Sequence, residues 1–155
     1  MAEAAVVRRA GPEDAAAIAA LTRAAYAKWV PVIGRLPKPM AADYDAAVRD
    51  HLIDLLEVDG VLVALVECIL ERDHLLIENL AVAPEAQGRG HGRMLMAHVE
   101  ALAPELGRTE IRLYTNKLFA ENVAFYRRLG YRVDGETAFK DGFIVHMSKP
   151  LEGRI

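Results

Sequence analysis

Two stretches of this sequence have residue types and spacing suited to chemistry. The first is the glycine-dense turn Gln87-Gly88-Arg89-Gly90-His91-Gly92, which runs through Arg93 into a helical pattern. Backbone N–H groups in such a turn can converge on one concavity, and the helix that follows adds its unpaired first-turn N–H groups and its dipole. That arrangement holds a phosphate. A charge-assisted hydrogen bond is worth roughly 1.5–3 kcal/mol, and micromolar binding needs about 8 kcal/mol. Three or four such bonds with some apolar contact therefore suffice without a lysine clamp, and Arg89 and Arg93 add long-range attraction. Two commoner phosphate loops fail on spacing. A P-loop needs Gly-Lys followed by Ser or Thr, but Gly92 precedes Arg93-Met94; a dinucleotide loop needs a third glycine where Arg93 stands.

The second stretch lies just upstream. The apolar run Leu75 to Val82 carries one acid, Glu78, and one amide, Asn79. Burial among apolar neighbours raises a carboxyl pKa toward the range of a general base. Strict alternation puts Glu78 with Leu76, Leu80 and Val82, and puts Asn79 with Leu75, Ile77 and Ala81; a bulge would scramble that parity. The bland alternative is a carboxylate paired with an arginine or facing water.

The elements that position these stretches read as mixed α and β. Ala5 to Arg9 is a strand, and Pro12-Glu13-Asp14 opens a helix that runs to about Trp29. VPVIGRLPKPM is too broken for a helix, yet its apolar side chains must pack against something, either the core or a substrate. A helix over Ala41 to Leu52 follows, then strands Leu55 to Val58 and Val61 to Leu70 joined at Asp59-Gly60, a hairpin signal. After Leu75 to Val82 comes a helix from about Gly90, stopped by Gly107. Then come a strand Glu110 to Tyr114, a helix Leu118 to Leu129 stopped by Gly130, and two strands, Tyr131 to Asp134 and Gly142 to Ser148.

Composition bounds the rest. A chain of 155 residues predicts one domain over 1–155, and a net charge of −3 argues against a nucleic-acid partner. No apolar run approaches the ~20 residues of a membrane span. Acids and arginines interrupt the first 26 residues, where a signal peptide needs an unbroken apolar segment, so a cytoplasmic address is expected. Cys68 is the only cysteine, and His51, His74, His91, His98 and His146 lack close ligand spacing, so no metal is expected. Oligomeric state is open, a homodimer included.

Gln87-x-x-Gly90-x-Gly92 resembles the acetyl-CoA signature of the GCN5-related N-acetyltransferase (GNAT) superfamily: Gln or Arg, two residues, Gly, one residue, Gly or Ala. Leu80-Ala81-Val82-Ala83-Pro84 is similar to that family's fourth strand and the turn after it. Phe125-Tyr126-Arg127-Arg128-Leu129-Gly130-Tyr131 resembles its late helix. The resemblance implies an α/β (α+β) GNAT fold: a mixed, mostly antiparallel sheet of about seven strands, flanked by about four helices and splayed between the fourth and fifth strands. The family often carries an asparagine seven residues before the tyrosine and an alanine four before it; Phe119 and Asn122 stand there in this chain. Asn116 and Asn122 both remain candidates for the cofactor-binding amide.

The resemblance also implies the chemistry. Acetyl-CoA, the acyl donor, would pair its pantetheine arm with backbone at Leu80, Ala81 and Val82 and seat its pyrophosphate on amides from Gln87 to Arg93. An amine would attack the thioester directly. An alkyl amine of pKa about 10.4 is roughly one part in two thousand neutral at pH 7, so forming the nucleophile costs about 4–5 kcal/mol. Glu78 is the candidate base. Tyr126 matches the family's acid, because a phenol stays protonated at neutral pH and can donate to sulfur. An amide near Leu80 would meet the oxyanion. Tyr26, Trp29, Arg35 and Tyr44 are placed in the acceptor pocket. The expected function is transfer of acetyl from acetyl-CoA to a primary amine of a small molecule or protein. The competing class is a non-catalytic acyl-CoA-binding module on the same fold.

Overall fold

The computed structural model describes residues 4–151. Seven strands form one sheet: β1 Ala5–Arg9, β2 Leu52–Val58, β3 Val61–Leu70, β4 Leu75–Val82, β5 Glu110–Asn116, β6 Arg132–Phe139 and β7 Gly142–Pro150, in the order β1-β2-β3-β4-β5-β7-β6. All neighbours are antiparallel except β4 and β5. The helices are α1 Ala15–Tyr26, α2 Val30–Ile33, α3 Tyr44–Asp50, α4 His91–Glu105 and α5 Ala120–Arg128. The expected splay is present, and the expected element order holds apart from the added short helix α2. No helix of the described residues is long and apolar enough to cross a membrane.

Two apolar clusters cover the two faces of the sheet. Leu95, Met96, Val99 and Ala103 of α4 pack with Leu56, Val66, Ile77 and Leu113 on one face. Ile18, Leu21 and Ala25 of α1 and Ala47 of α3 pack with Ile53, Leu55, Leu65 and Ala81 on the other. Helix α4 starts where Gly90 adopts a left-handed φ of 84° and stops at Gly107, whose φ is 76°. Such backbone suits glycine and strains other residues. The hairpin at Asp59-Gly60 has φ of 51° and 81°, the positive pair that a tight two-residue turn needs.

Several boundaries differ from the sequence expectation. Trp29 ends a 3₁₀ turn, Ala27–Trp29, after α1 rather than lying in the helix itself. VPVIGRLPKPM is not irregular throughout: α2 starts with Pro31 in its first turn, where the missing N–H is no loss, and Lys38–Ala41 forms a second 3₁₀ turn. Helix α3 is shorter than Ala41 to Leu52, because Asp43 caps it, its side chain accepting from the Asp45 and Ala46 amides. The strands β2, β6 and β7 run longer than read, held by pairing with their neighbours, which apolar pattern alone does not reveal.

Candidate active site

The site is built where β4 and β5 part. These parallel strands pair only at Leu75–Ile111, Leu76–Arg112 and Ile77–Leu113, while β4 continues to Val82 and β5 to Asn116. Beyond Ile77, the β4 edge that faced β5 has no strand partner, which leaves backbone N–H and C=O groups for a ligand. A β-bulge sits at the same point. Glu67 pairs with Asn79 and Cys68 with Ile77, so Glu78 is the extra residue of β4. The bulge breaks the alternation: Ile77 joins the α4-side core, whereas Glu78 and Asn79 both line one cavity on the α1 and α3 side.

That cavity, of about 640 Å³, is lined by Arg35, Lys38, Tyr44, Glu67, Glu78 and Tyr114 among others. The Glu78 carboxylate accepts from the Tyr114 hydroxyl at 3.0 and 3.1 Å and lies 3.2 Å from the Lys38 ammonium. Lys38 also donates to Tyr114 Oη at 3.0 Å. Burial pushes the Tyr114 phenol up, with Lys38 opposing, so the hydroxyl stays protonated. Deeper in the cavity, Glu67 is buried and lies 2.6 Å from His51 Nδ1. Burial pushes the Glu67 carboxyl above its usual value, and the His51 contact opposes that. The Asn79 side chain donates to Thr22 at 3.3 Å and to Tyr44 at 3.4 Å, while its buried Oδ1 has no partner among the described residues. Burial raises the Tyr44 phenol to about 12. Tyr44 donates to the Pro39 carbonyl at 2.7 Å, which ties the Pro-rich segment to α3.

A second cavity, of about 650 Å³, lies along Leu80, Ala81 and Val82 and the glycine turn, and is closed by Phe125 and Tyr126 of α5. Gln87 donates from Nε2 to the Val82 carbonyl at 3.3 Å, pinning the turn to the end of β4. Gly88 and Gly90 have φ of 80° and 84°, and a Cβ at either would meet no atom within 4 Å, so this backbone borders open space. Gly92 differs: a Cβ there would come into contact with Phe125 at 3.4 Å, so this position faces α5 rather than open space. The amides of His91, Gly92 and Arg93 open α4 and have no intrahelical partner. His91 Nδ1 is buried and has no partner among the described residues. These donors and the open concavity fit a pyrophosphate. Burial pushes the Tyr126 phenol well up, which keeps its proton on.

Tyr26 lines both cavities. The residues singled out from the sequence thus divide between two walls. Glu78, Arg35, Tyr44 and Asn116 lie on the first cavity, and Tyr126, Trp29, Asn122 and the glycine turn on the second. Asn116 Oδ1 accepts from the Leu118 amide at 2.9 Å, capping the turn before α5. Trp29 stacks on Phe119, with ring centroids 4.5 Å apart. Sequence reasoning missed Lys38, Glu67, His51 and Tyr114. An acid within VLVALVECIL gave a signal at Glu67 of the same kind as that at Glu78. Lys38 and Tyr114 reach Glu78 only through tertiary structure. Among the described residues, no group of three or more His, Cys, Asp or Glu side chains is placed to hold a metal ion.

Residues 18–131 match the acetyltransferase (GNAT) family, and the chain belongs to it. Streptothricin acetyltransferase of Streptomyces lavendulae is 34% identical over 83 residues, covering 49% of this chain and 44% of that protein. The chain spans less than half the length of the curated relatives it matches. The fold is shared with solved structures, of which two illustrate it. An acetyltransferase of the GNAT family from Desulfovibrio desulfuricans, itself described as putative, superposes with a TM-score of 0.79 at 18% identity, over 95% of this chain and 99% of that one. The PaiA N-acetyltransferase from Thermoplasma acidophilum, solved in complex with coenzyme A, gives 0.74 at 19% identity, over 95% and 99%.

Proposed function

We propose that this chain is an acetyl-CoA-dependent N-acetyltransferase domain that acts on a primary amine of a small molecule or protein. One arrangement carries the reading. The acid suited to take a proton from an amine and the phenol suited to protonate a thiolate line two cavities that share Tyr26 as a wall. The second cavity takes the donor: the glycine turn and the first amides of α4 hold the pyrophosphate, and the free edge of β4 near Leu80 holds the pantetheine amides. When bound, the donor supplies a thioester carbonyl for attack. The first cavity takes the acceptor. Glu78 removes a proton from the ammonium, Asn79 Oδ1 is an unmet acceptor for an N–H group, and Tyr126 donates to the departing sulfur.

The volume of the first cavity and its apolar walls, which include Ile33, Pro37 and Phe119, suit a small, partly apolar amine. The same reading keeps the protein cytoplasmic and metal-free, without nucleic-acid or membrane partners. Thiol release from acetyl-CoA across a panel of amines tests it. Amine-dependent release is expected; tight acetyl-CoA binding with no release for any acceptor would instead mark an acyl-CoA-binding module.

A further inference from the structure

Lys38 already occupies the place that an acceptor amine must take. It lies between Pro37 and Pro39 in the segment joining α2 to α3, and its side chain lines the first cavity. Its Nζ is 3.2 Å from Glu78 Oε1, 3.0 Å from the Tyr114 hydroxyl and 5.5 Å from the centre of the Tyr114 ring. A base takes a proton only from a group within hydrogen-bond reach, and Lys38 meets that condition. The other lysines have their contacts elsewhere: Lys28 with Glu121, Lys117 with Glu136, Lys140 with the Phe139 ring and Lys149 with Glu100. The two ends of the pair differ in exposure. The Glu78 side chain is 18% exposed and the Lys38 side chain 63%. The carboxylate is thus built into the cavity, and the lysine enters it from solvent on a surface segment.

We propose that Lys38 is itself an acceptor, acetylated in cis by the chain that carries it. This rests on the acetyltransferase reading and on Glu78 as base. The Lys38 ammonium loses two protons in the transfer. One leaves to solvent through Glu78. The other restores the proton that Tyr126 gives to sulfur. Nζ forms a bond to the thioester carbonyl carbon, and the carbon–sulfur bond breaks with its electron pair on sulfur. The product side chain is a neutral amide. It no longer pairs as a cation with Glu78, so the modification opens the carboxylate to amines from solution. The first turnover therefore converts a chain that fills its own acceptor site into one that serves an external acceptor.

The test is incubation of the purified full chain with acetyl-CoA alone, followed by intact mass and peptide mapping. One acetyl group is expected on Lys38, at a rate per molecule that does not change with protein concentration. Lys28, Lys117, Lys140 and Lys149 should label no faster than in heat-denatured chain. Glu78→Gln should slow the Lys38 reaction by about 10²-fold or more and leave the other lysines as they were. Lys38→Gln, which resembles the acetylated side chain, should acetylate an external amine several-fold faster than Lys38→Arg, which keeps the cation. An unlabelled Lys38, or one labelled no faster than the other lysines, overturns the proposal if an external amine is acetylated in the same preparation. A rate proportional to protein concentration overturns transfer in cis. Equal rates for the Gln and Arg variants overturn the opening of Glu78. If acetyl-CoA binds and neither Lys38 nor any external amine is acetylated, the acetyltransferase reading fails as well.

Discussion

Glu67 on β3 faces Asn79 on β4 across the antiparallel pair, and the adjacent pair is Cys68 with Ile77. Glu78 falls between them with no partner across the strand. Two neighbours that alternation would send to opposite faces therefore enter one cavity, with Glu67 beside them. The bulge also marks where pairing with β5 ends, since Ile77–Leu113 is the last parallel pair. Strand geometry thus sets two things at one residue: it parts the sheet and turns a carboxylate into the first cavity.

Glu78→Gln tests the base directly. The amide keeps the size of the side chain and can still accept from Tyr114, but it cannot take a proton. Turnover should fall by roughly 10²–10⁴-fold, while acetyl-CoA affinity measured by calorimetry holds, because Glu78 lines the first cavity and not the second, which is proposed to take the donor. Unchanged turnover would move the role to another group, and Glu67 is the buried carboxylate of that cavity.

Much of this was legible in the sequence because it is local. The glycine turn, the helix stops at Gly107 and Gly130 and the Asp59-Gly60 hairpin each follow from the backbone that those residues permit. The parity of Glu78 and Asn79 was not legible, since a bulge is fixed by pairing with β3 and leaves no mark in the apolar pattern. Nor was the Lys38–Glu78–Tyr114 cluster. It joins positions up to 76 residues apart, from the segment before α3, from β4 and from β5. The glycines also divide by surroundings: Gly88 and Gly90 hold left-handed backbone beside open space, and Gly92 faces Phe125.

Tyr126→Phe should lower turnover more than donor affinity. The ring packs edge-on against Phe125 and Tyr131, with centroids 5.2 and 5.9 Å away, and phenylalanine preserves that packing. Only the proton donor is lost, and general acid catalysis typically contributes about 10²–10⁴-fold. Comparing acceptors in steady state while measuring the acetyl-CoA Kd separates the two effects. Equal turnover in the two proteins would assign sulfur's proton to water or to another group.

Acid stability should depend on Asp14. Its carboxylate takes a two-pronged contact from Arg8, at 2.8 and 2.9 Å, and the Gly11 amide at 2.8 Å. Arg8 first and Gly11 second hold the carboxyl down at about 2, against a usual 3.8. Between those values the unfolded chain binds more protons than the folded one. This contribution is therefore complete above pH 3.8 and is lost as pH falls through about 2. Asp14→Asn removes it, so the variant should melt lower at neutral pH and show a flatter Tm profile on acidification. Parallel wild-type and variant profiles would discount the pair.

The glycine turn can be dissected by placing one methyl group at two positions. At Gly90 the left-handed backbone penalises alanine by about 1–2 kcal/mol, and the new Cβ would project where no protein atom lies within 4 Å. That is the space assigned to the pyrophosphate, so Gly90→Ala should lose both stability and acetyl-CoA affinity. About 1.4 kcal/mol corresponds to tenfold in Kd, and a loss of that order is expected. At Gly92 the backbone is helical and the new Cβ meets Phe125 at 3.4 Å. Gly92→Ala should therefore shift Tm through the contact of α4 with α5 and change affinity less. Calorimetry with acetyl-CoA and thermal melts on both variants make the comparison. If Gly90→Ala binds acetyl-CoA like the parent protein, the turn is not the anchor and the donor must be held chiefly by the free edge of β4.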